Sequence, residues 1–204
     1  MLLPKPPELS ASLIISPPLS GKKEFLNNNI KNAIKENKAI LLVLTDKNPE
    51  KLKKELLENK IFFKELYFVD CYSQQTGNTA ENKENVIYVS GPLALNELSI
   101  AISEFEREFA RKEIQHIIIF DSLSTLLMYS NAEAVARFLQ ILIAKIKNFK
   151  GNVIFLLEEG MHDEKAVVTI EHLMDSIINI KEDKDKLFIK AKGMAGFEEW
   201  TELK

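Results

Sequence analysis

Short apolar runs alternate with longer amphipathic segments along most of this 204-residue chain. A continuous apolar run is typical of a parallel strand that is covered on both faces, and the segments between the runs are long enough to form crossover helices. The alternation therefore predicts an α/β fold with a mostly parallel central sheet flanked by helices. The predicted parallel strands are Ala11 to Ile15, Ala39 to Thr45, Glu65 to Asp70, Val86 to Val89, His116 to Asp121 and Asn152 to Leu157.

The amphipathic segments predict the helices of this fold. One helix is expected from about Gly21 to Glu36, and a second from Pro49, a favourable first helical residue, to about Glu58. Two more segments carry apolar residues at steps of three and four, which indicates core packing rather than contact with a cofactor. These stripes are Leu95, Leu98, Ile102, Phe105 and Phe109, and Val135, Phe138, Leu139, Leu142, Ile146 and Phe149.

The final part of the chain has a different pattern. Ser176 to Lys181 and Lys186 to Lys192 flank the polar sequence Glu182-Asp183-Lys184-Asp185, which predicts a C-terminal antiparallel hairpin. The polar stretch from Tyr72 to Asn85 is interpreted as a flexible loop. No composition break marks a second domain, so we expect one domain over residues 11–204 preceded by an N-terminal extension over residues 1–10.

Composition limits the class of function. Hydrophobic residues make up 46% and charged residues 28%, as in ordinary globular domains. The formal net charge of −3 indicates no general basic surface, so the composition does not favour a nucleic-acid partner. No apolar stretch approaches the length of a membrane span, and the single cysteine, Cys71, is consistent with a reducing compartment. We expect a cytoplasmic protein without membrane contact.

The stretch Ser16-Pro17-Pro18-Leu19-Ser20-Gly21-Lys22-Lys23 follows the first predicted strand. It is similar to a phosphate-binding loop, GxxxxGK[ST], in which backbone N–H groups surround phosphate, the lysine reaches the outer phosphates and the hydroxyl holds Mg²⁺. Gly21 and Lys22 match this pattern. Lys23 stands at the hydroxyl position and cannot serve as a metal ligand while charged. A Ser/Pro/Gly cluster is also typical of an ordinary turn between strand and helix.

Asp121 ends the apolar run His116-Ile117-Ile118-Ile119-Phe120. Ligands of parallel α/β sheets bind beyond the carboxyl ends of the strands, so this carboxylate is a candidate magnesium ligand. The alternative is that an aspartate before Ser122 caps the next helix.

Together these motifs resemble the KaiC-like branch of the RecA-superfamily ATPases over nearly the whole chain. SPPLSGKK stands where that family has GPPGSGKT, and IIIFDSLSTL resembles its Walker B strand with the following serine. Leu44 to Pro49 stands where the family has a strand followed by two glutamates and a proline. Leu187 to Gly193 is similar to its closing strand, which reads roughly Lys-Met-Arg-Gly.

The resemblance implies a RecA-like P-loop domain, with ATP as the expected ligand, and it assigns roles to individual residues. Ser20, Gly21 and Lys22 would contact phosphate, and Asp121 would belong to a magnesium shell. Lys190 and Lys192 would face the nucleotide of a neighbouring subunit in a hexamer. Mg²⁺ is a doubtful ligand here, because Lys23 stands at the position of the metal-binding hydroxyl. Lys22 and Lys23 could instead hold phosphate together without a metal.

The departures from the family predict an eroded site. Asp46 stands where the family's first glutamate polarises the attacking water, and it is shorter by one methylene, while Lys47 replaces the second glutamate. A displacement of about 1 Å can reduce a rate on the order of a hundredfold. Ser16 and Leu19 also replace loop glycines at positions where a close approach or a positive φ is expected, and Lys192 replaces an arginine. We therefore expect a non-hydrolysing pseudo-ATPase with a regulatory or scaffolding role in signal transduction and with protein partners.

Two other functions stay open at this point. A slow ATPase or kinase, assembled from several subunits, would use Asp46, Glu158 or Glu159 as its base. A DNA-handling role, as in recombinase relatives of this fold, is disfavoured by the acidic balance and by the scarcity of arginine and aromatic residues in the loops.

Overall fold

A computed structural model describes residues 6–18, 20–77, 81–184 and 186–203. Within these ranges the chain forms one sheet of nine strands, six α-helices and a short 3-10 helix, Ser73–Thr76. The strands are β1 (Ala11–Ser16), β2 (Ala39–Leu44), β3 (Leu66–Asp70), β4 (Val86–Tyr88), β5 (His116–Asp121), β6 (Asn152–Glu158), β7 (Ser176–Asp183), β8 (Lys186–Lys192) and β9 (Thr201–Glu202). The helices are α1 (Lys22–Lys35), α2 (Pro49–Glu58), α3 (Leu95–Arg111), α4 (Leu123–Tyr129), α5 (Ala132–Asn148) and α6 (Glu164–Glu171).

The sheet has the order β4-β3-β2-β5-β6-β1-β7-β8-β9. The pairs from β4 to β7 are parallel, whereas β7 with β8 and β8 with β9 are antiparallel. This arrangement confirms the predicted α/β fold with its mostly parallel sheet and C-terminal hairpin. The hairpin strand β7 continues to Asp183, two residues beyond the predicted end at Lys181.

Alternate residues of the central strands enter two separate cores. Ile40 and Leu42 of β2 pack on the face covered by α1 and α2. Leu41 and Val43 of the same strand pack on the opposite face, which α3 and α5 cover. Each residue of β2 is fully buried, so both faces demand apolar side chains. This double coverage explains the unbroken apolar runs in the sequence.

The register of the sheet places several strand ends at one edge. Ser16 of β1 lies opposite Glu158 of β6, and Leu44 of β2 lies opposite Asp121 of β5. Because these strands are parallel, their carboxyl ends meet at the same edge of the sheet. Residues that are distant in sequence are thereby brought together there.

Helix α6 and strand β9 were not predicted from the sequence, and α4 was expected only as a helix of unstated length after Ser122. These elements are short, and their apolar patterns are too brief to stand out. The predicted flexible loop from Tyr72 to Asn85 is partly regular, because the Asp70 carboxylate accepts the N–H groups of Tyr72 and Ser73 at 2.9 Å and the 3-10 helix follows. Residues 78–80 of this loop lie outside the described ranges.

The end of the proposed N-terminal extension is joined to the sheet. The N–H of Ser10 donates to Asn152 Oδ1 at 3.2 Å, and the Ser10 carbonyl accepts the N–H of Val153 at 3.0 Å. Residues 1–5 lie outside the described ranges, so the division at residue 10 stays a prediction. None of the helices in the described part of the chain is long and apolar enough to cross a membrane.

Candidate functional site

The segment after β1 forms a tight turn in which backbone N–H groups donate to carbonyl groups of the same turn. Pro17 and Pro18 have no backbone N–H to offer. The N–H of Ser20 donates to the Pro17 carbonyl at 3.3 Å, and the N–H of Lys22 donates to the Ser20 carbonyl at 2.8 Å. Ser16 is a buried strand residue without a positive φ, so that part of the expectation for this position is wrong, and the expected close approach there stays a prediction. The expectation for Leu19 lies outside the described residues.

The turn also rests on strand β7. Gly21, the residue before α1, has a left-handed φ of 71°, and a Cβ on it would lie 2.6 Å from Ile180 Cγ2. The Ser20 hydroxyl donates to the Glu182 carboxylate on the same strand. Glycine is therefore required at position 21 for both conformation and space.

The centre of the site is the carboxylate of Asp121, which is completely buried at the end of β5. Lys22 Nζ lies 2.6 Å from its Oδ1, and Lys47 Nζ lies 2.7 Å from its Oδ2. The two lysine side chains are themselves only 17% and 16% exposed. Each carboxylate oxygen thus has its own ammonium partner.

Two more carboxylates approach Lys22 from the side. Glu158 Oε1 lies 3.4 Å from Lys22 Nζ, and Asp46 Oδ2 lies 4.0 Å from it. The cluster therefore contains two ammonium groups and three carboxylates, a formal sum of −1. The predicted site residues Lys22, Asp46, Asp121 and Glu158 are brought together, and Lys47 completes the cluster.

The pKa of Asp121 lies below its ordinary value. Burial by itself would raise this pKa, but the charges of Lys22 and Lys47 and their hydrogen bonds outweigh it. Burial by itself would lower the pKa of Lys22, but the charge of Asp121, its hydrogen bond and the charges of Asp46 and Glu158 together raise it. These two groups hold each other in their charged forms.

Asp46 behaves in the opposite way. Burial raises the pKa of Asp46, and the neighbouring charge of Asp121 raises it further, while Lys22 and Lys47 oppose the change without cancelling it. Asp46 is thus a carboxylate whose negative charge is insufficiently compensated in this cluster.

Hydroxyl groups fix the backbone around the cluster. Thr45 Oγ1 donates to the Asp121 carbonyl at 3.1 Å and accepts the N–H of Ser122 at 2.9 Å. Ser124 Oγ accepts the N–H of Glu158 at 2.8 Å. The peptide bond between Asp121 and Ser122 is cis. Ser122 is the residue that precedes α4, so the interpretation of the Asp121 side chain as a helix cap is wrong.

The remaining predicted site residues lie apart from the cluster. Lys23 is exposed in the first turn of α1. On β8, Lys190 lies opposite Asn179 and Lys192 lies opposite Ile177, toward the amino end of β7. The role of Lys190 and Lys192 at a neighbouring subunit stays a prediction.

Sequence reasoning noticed Lys47 only as a missing glutamate. The pairing of β2 with β5 brings Lys47 and Asp121 to the same sheet edge, and this pairing is not visible in the order of the strands along the chain. The sequence contains one signal for this contact. Lys47 shortly follows one predicted strand and Asp121 ends another, and parallel strands end at the same edge of a sheet.

The arrangement does not fit a magnesium-bound nucleotide as it stands. Both oxygens of Asp121 are held by lysine, and the turn directs the amides of Ser20 and Lys22 to its own carbonyls. Over residues 6–18, 20–77, 81–184 and 186–203, no group of three or more histidine, cysteine, aspartate or glutamate side chains could hold a metal ion.

Comparison with known proteins places the chain in a family. Residues 13–180 match the family model described as "Family of unknown function (DUF7504)". The chain belongs to this family. None of the curated proteins matches it.

Solved structures show the fold of this DUF7504 member. It superposes on the flagellar accessory protein FlaH from Methanocaldococcus jannaschii with a TM-score of 0.62 and 16% identity, covering 91% of this chain and 78% of FlaH. It superposes on a KaiC-like protein from Pyrococcus horikoshii OT3 with a TM-score of 0.62 and 12% identity, covering 96% and 85% of the two chains. The KaiC-like, RecA-like fold is confirmed. At these identities the similarity shows the fold alone.

Proposed function

We propose that this DUF7504 member is a non-hydrolysing pseudo-ATPase with a regulatory or scaffolding role toward other proteins. One observation carries the proposal: Asp121 is buried between the ammonium groups of Lys22 and Lys47, at 2.6 and 2.7 Å. The carboxylate that would hold a metal and the lysine that would hold phosphate are bound to each other instead.

The physical reason lies in what phosphoryl transfer requires. Catalysis of this reaction depends almost wholly on positioning and on electrostatic stabilisation by metal ions and cations. In this chain Lys47 supplies the positive charge beside Asp121, and its ammonium carries one charge and donates hydrogen bonds, whereas Mg²⁺ carries two charges and coordinates oxygen ligands directly. Lys22 would have to leave a buried partner before it could reach a phosphate. A resting site of this kind favours a structural role over turnover.

An ATPase assay with purified protein and excess Mg²⁺ tests this proposal. We expect no turnover above that of the Lys22→Ala variant. The matched control is Lys23→Ala, which removes an exposed lysine from the same turn. Turnover that disappears in Lys22→Ala and persists in Lys23→Ala would contradict the proposal.

Nucleotide binding without turnover is tested separately by thermal or chemical denaturation. A ligand at about 100 times its dissociation constant adds roughly 2.7 kcal/mol to the free energy of unfolding. We expect no stabilisation by millimolar ATP in the wild type, with or without Mg²⁺. Stabilisation by ATP that is lost in Lys22→Ala would show that the site still binds nucleotide and would narrow the proposal to loss of hydrolysis.

A second candidate function is a slow ATPase or kinase that works in an oligomer. The observation that favours it is the raised pKa of Asp46, since a carboxylate with a higher pKa is a stronger base. Glu158 is the alternative base. If this function applies, activity will rise with protein concentration, and Asp46→Asn or Glu158→Gln will abolish it. A hexamer in which Lys190 and Lys192 complete the neighbour's site belongs to this candidate.

A further inference from the structure

A cavity of about 340 Å³ opens beside the ion-pair cluster at the carboxyl edge of the sheet. Its walls come from the segments that follow β2, β3, β5 and β6. We call it the acidic cavity, because Asp46 and Glu158 both line it whereas neither Lys22 nor Lys47 does. Thr45, Ser124 and Thr125 add hydroxyl groups to its lining.

The charges around the acidic cavity are unbalanced. The two ammonium groups are held at 2.6 and 2.7 Å by Asp121. Glu158 and Asp46 lie farther from the ammonium group of Lys22, at 3.4 and 4.0 Å. With two positive and three negative groups, the cluster has room for one further positive charge. A phosphate group in the same cavity would instead face two carboxylates.

Apolar side chains surround the mouth of the acidic cavity. Met128, Tyr129 and Met161 line it and are 55%, 63% and 40% exposed, and exposed apolar side chains grouped at one place are typical of an interaction site. Tyr72 also lines it. Thioether and aromatic groups pack well against an alkyl chain, and an aromatic face attracts a cation. The rim is therefore suited to the stem of a long basic side chain, and the carboxylates to its head.

We propose that the acidic cavity receives a lysine or arginine side chain from a partner polypeptide, in which apolar residues flank the basic residue. This inference rests on the proposed regulatory or scaffolding function and names the chemistry of the partner. Charge complementarity selects the basic head group, and the methionine and tyrosine rim selects apolar flanking residues. Asp46 and Glu158 belong both to the ion-pair cluster and to the lining of the cavity, and Asp121 at the centre of the cluster is fully buried.

Fluorescence anisotropy with short labelled peptides tests the inference in the absence of nucleotide. The probes are four pentapeptides that share leucine and alanine flanks and differ at the central residue, which is lysine, arginine, norleucine or glutamate. We expect the lysine and arginine peptides to bind at least about tenfold more tightly than the norleucine peptide, which keeps the apolar stem and lacks the charge. The glutamate peptide is expected not to bind.

Variants of the full chain locate the binding site. Glu158→Gln and Asp46→Asn should each weaken the lysine peptide about tenfold or more, because each removes one carboxylate without changing its shape. Glu104→Gln is the matched control, since Glu104 is an exposed glutamate on α3, remote from the cavity. Tyr129→Ala should weaken the lysine and norleucine peptides alike, which separates the rim from the charge.

Three results would overturn the inference. Equal affinity for lysine and norleucine peptides would show that charge is not recognised. Equal weakening by Glu104→Gln and Glu158→Gln would show a general charge effect. Concentration-dependent self-association that the lysine peptide disrupts would assign the cavity to a second copy of this chain.

The outcome separates this inference from the proposed function. If the chain shows no ATPase activity and the peptides do not bind, the inference is overturned and the proposed function is not. ATP turnover that depends on Lys22 would overturn the proposed function, whether or not the peptides bind.

Discussion

The two ends of strand β5 carry buried charge-bearing side chains, and they are arranged differently. At its amino end, His116 Nε2 lies 2.9 Å from Glu106 Oε2, and the two side chains are 3% and 1% exposed. At its carboxyl end, Asp121 is enclosed by two lysines while two further carboxylates stand nearby. One end is a simple pair and the other is a network with surplus negative charge.

Both ends of β5 border a cavity, and their contacts differ. The ring of Phe109 lies 4.9 Å from that of His116, and a Cβ on Gly151 would lie 2.6 Å from His116 Nε2. His116 also lines a cavity of about 570 Å³, but its partner Glu106 does not. The network borders the acidic cavity and carries a carboxylate, Asp46, whose pKa is raised. A single buried pair serves the fold, whereas a network with surplus formal negative charge and a carboxylate of raised pKa is typical of a functional site.

The largest effect is expected when the network loses its central charge. Asp121→Asn keeps the shape of the side chain but leaves Lys22 and Lys47 close together without their shared counter-charge. We expect the free energy of unfolding to fall by about 3 kcal/mol or more, measured by chemical denaturation. The control Glu50→Gln removes an exposed carboxylate paired with Lys53 and should change it by less than about 0.5 kcal/mol. Similar losses in both variants would contradict the central role of Asp121.

A smaller effect is expected at the other end of β5. Glu106→Gln keeps the shape of the side chain but replaces the carboxylate that lies 2.9 Å from His116 Nε2, so we expect a loss of about 1–2 kcal/mol in the same measurement. If Glu106→Gln destabilised the chain more than Asp121→Asn, the contrast between a simple pair and a network would be wrong.

Acid should affect the network next. The pKa of Asp121 is lower in the folded chain than its ordinary value, so its contribution to stability is present above about pH 4 and is lost as the pH falls through the folded-state pKa. We expect the free energy of unfolding of the wild type to decrease below about pH 4, and this part of the decrease to be absent in Asp121→Asn. Parallel pH profiles of the two proteins would refute the assignment.

The smallest effect is expected at Asp46, and its sign is reversed. Because the folded state raises the pKa of Asp46, its charge opposes folding at neutral pH. The side chain is 45% exposed, which weakens the effect, so Asp46→Asn should leave stability unchanged or raise it by a few tenths of a kcal/mol at pH 7. A clear loss of stability would show that Asp46 is well compensated.

The sequence predicts the fold well because the same physical constraint acts on each central strand. Strands such as β2 and β5 are buried on both faces, so their apolar runs mark them with little ambiguity. Short elements at the periphery, such as α4 and β9, lack this constraint and depend on tertiary contacts. Their existence could not be read from periodicity.

The sequence predicts which residues form the candidate site better than it predicts which of them are in contact. Strand ends point to Asp121, Asp46 and Glu158, and the loop motif points to Lys22. The pairing of Lys47 with Asp121 depends on strand order, which local patterns do not contain. The inward direction of Lys22 likewise follows from the combined charges of three carboxylates at or just after the ends of three separate strands.

Strand β1 lies inside the sheet between β6, which begins at Asn152, and β7, which begins at Ser176. A ribosome therefore makes the first strand long before either of its neighbours exists. The apolar segment Ala11–Ser16 therefore stays without its strand partners until residues 152–158 and then 176–179 have been made. The same topology that assembles the site leaves an apolar strand exposed in the nascent chain until β6 follows.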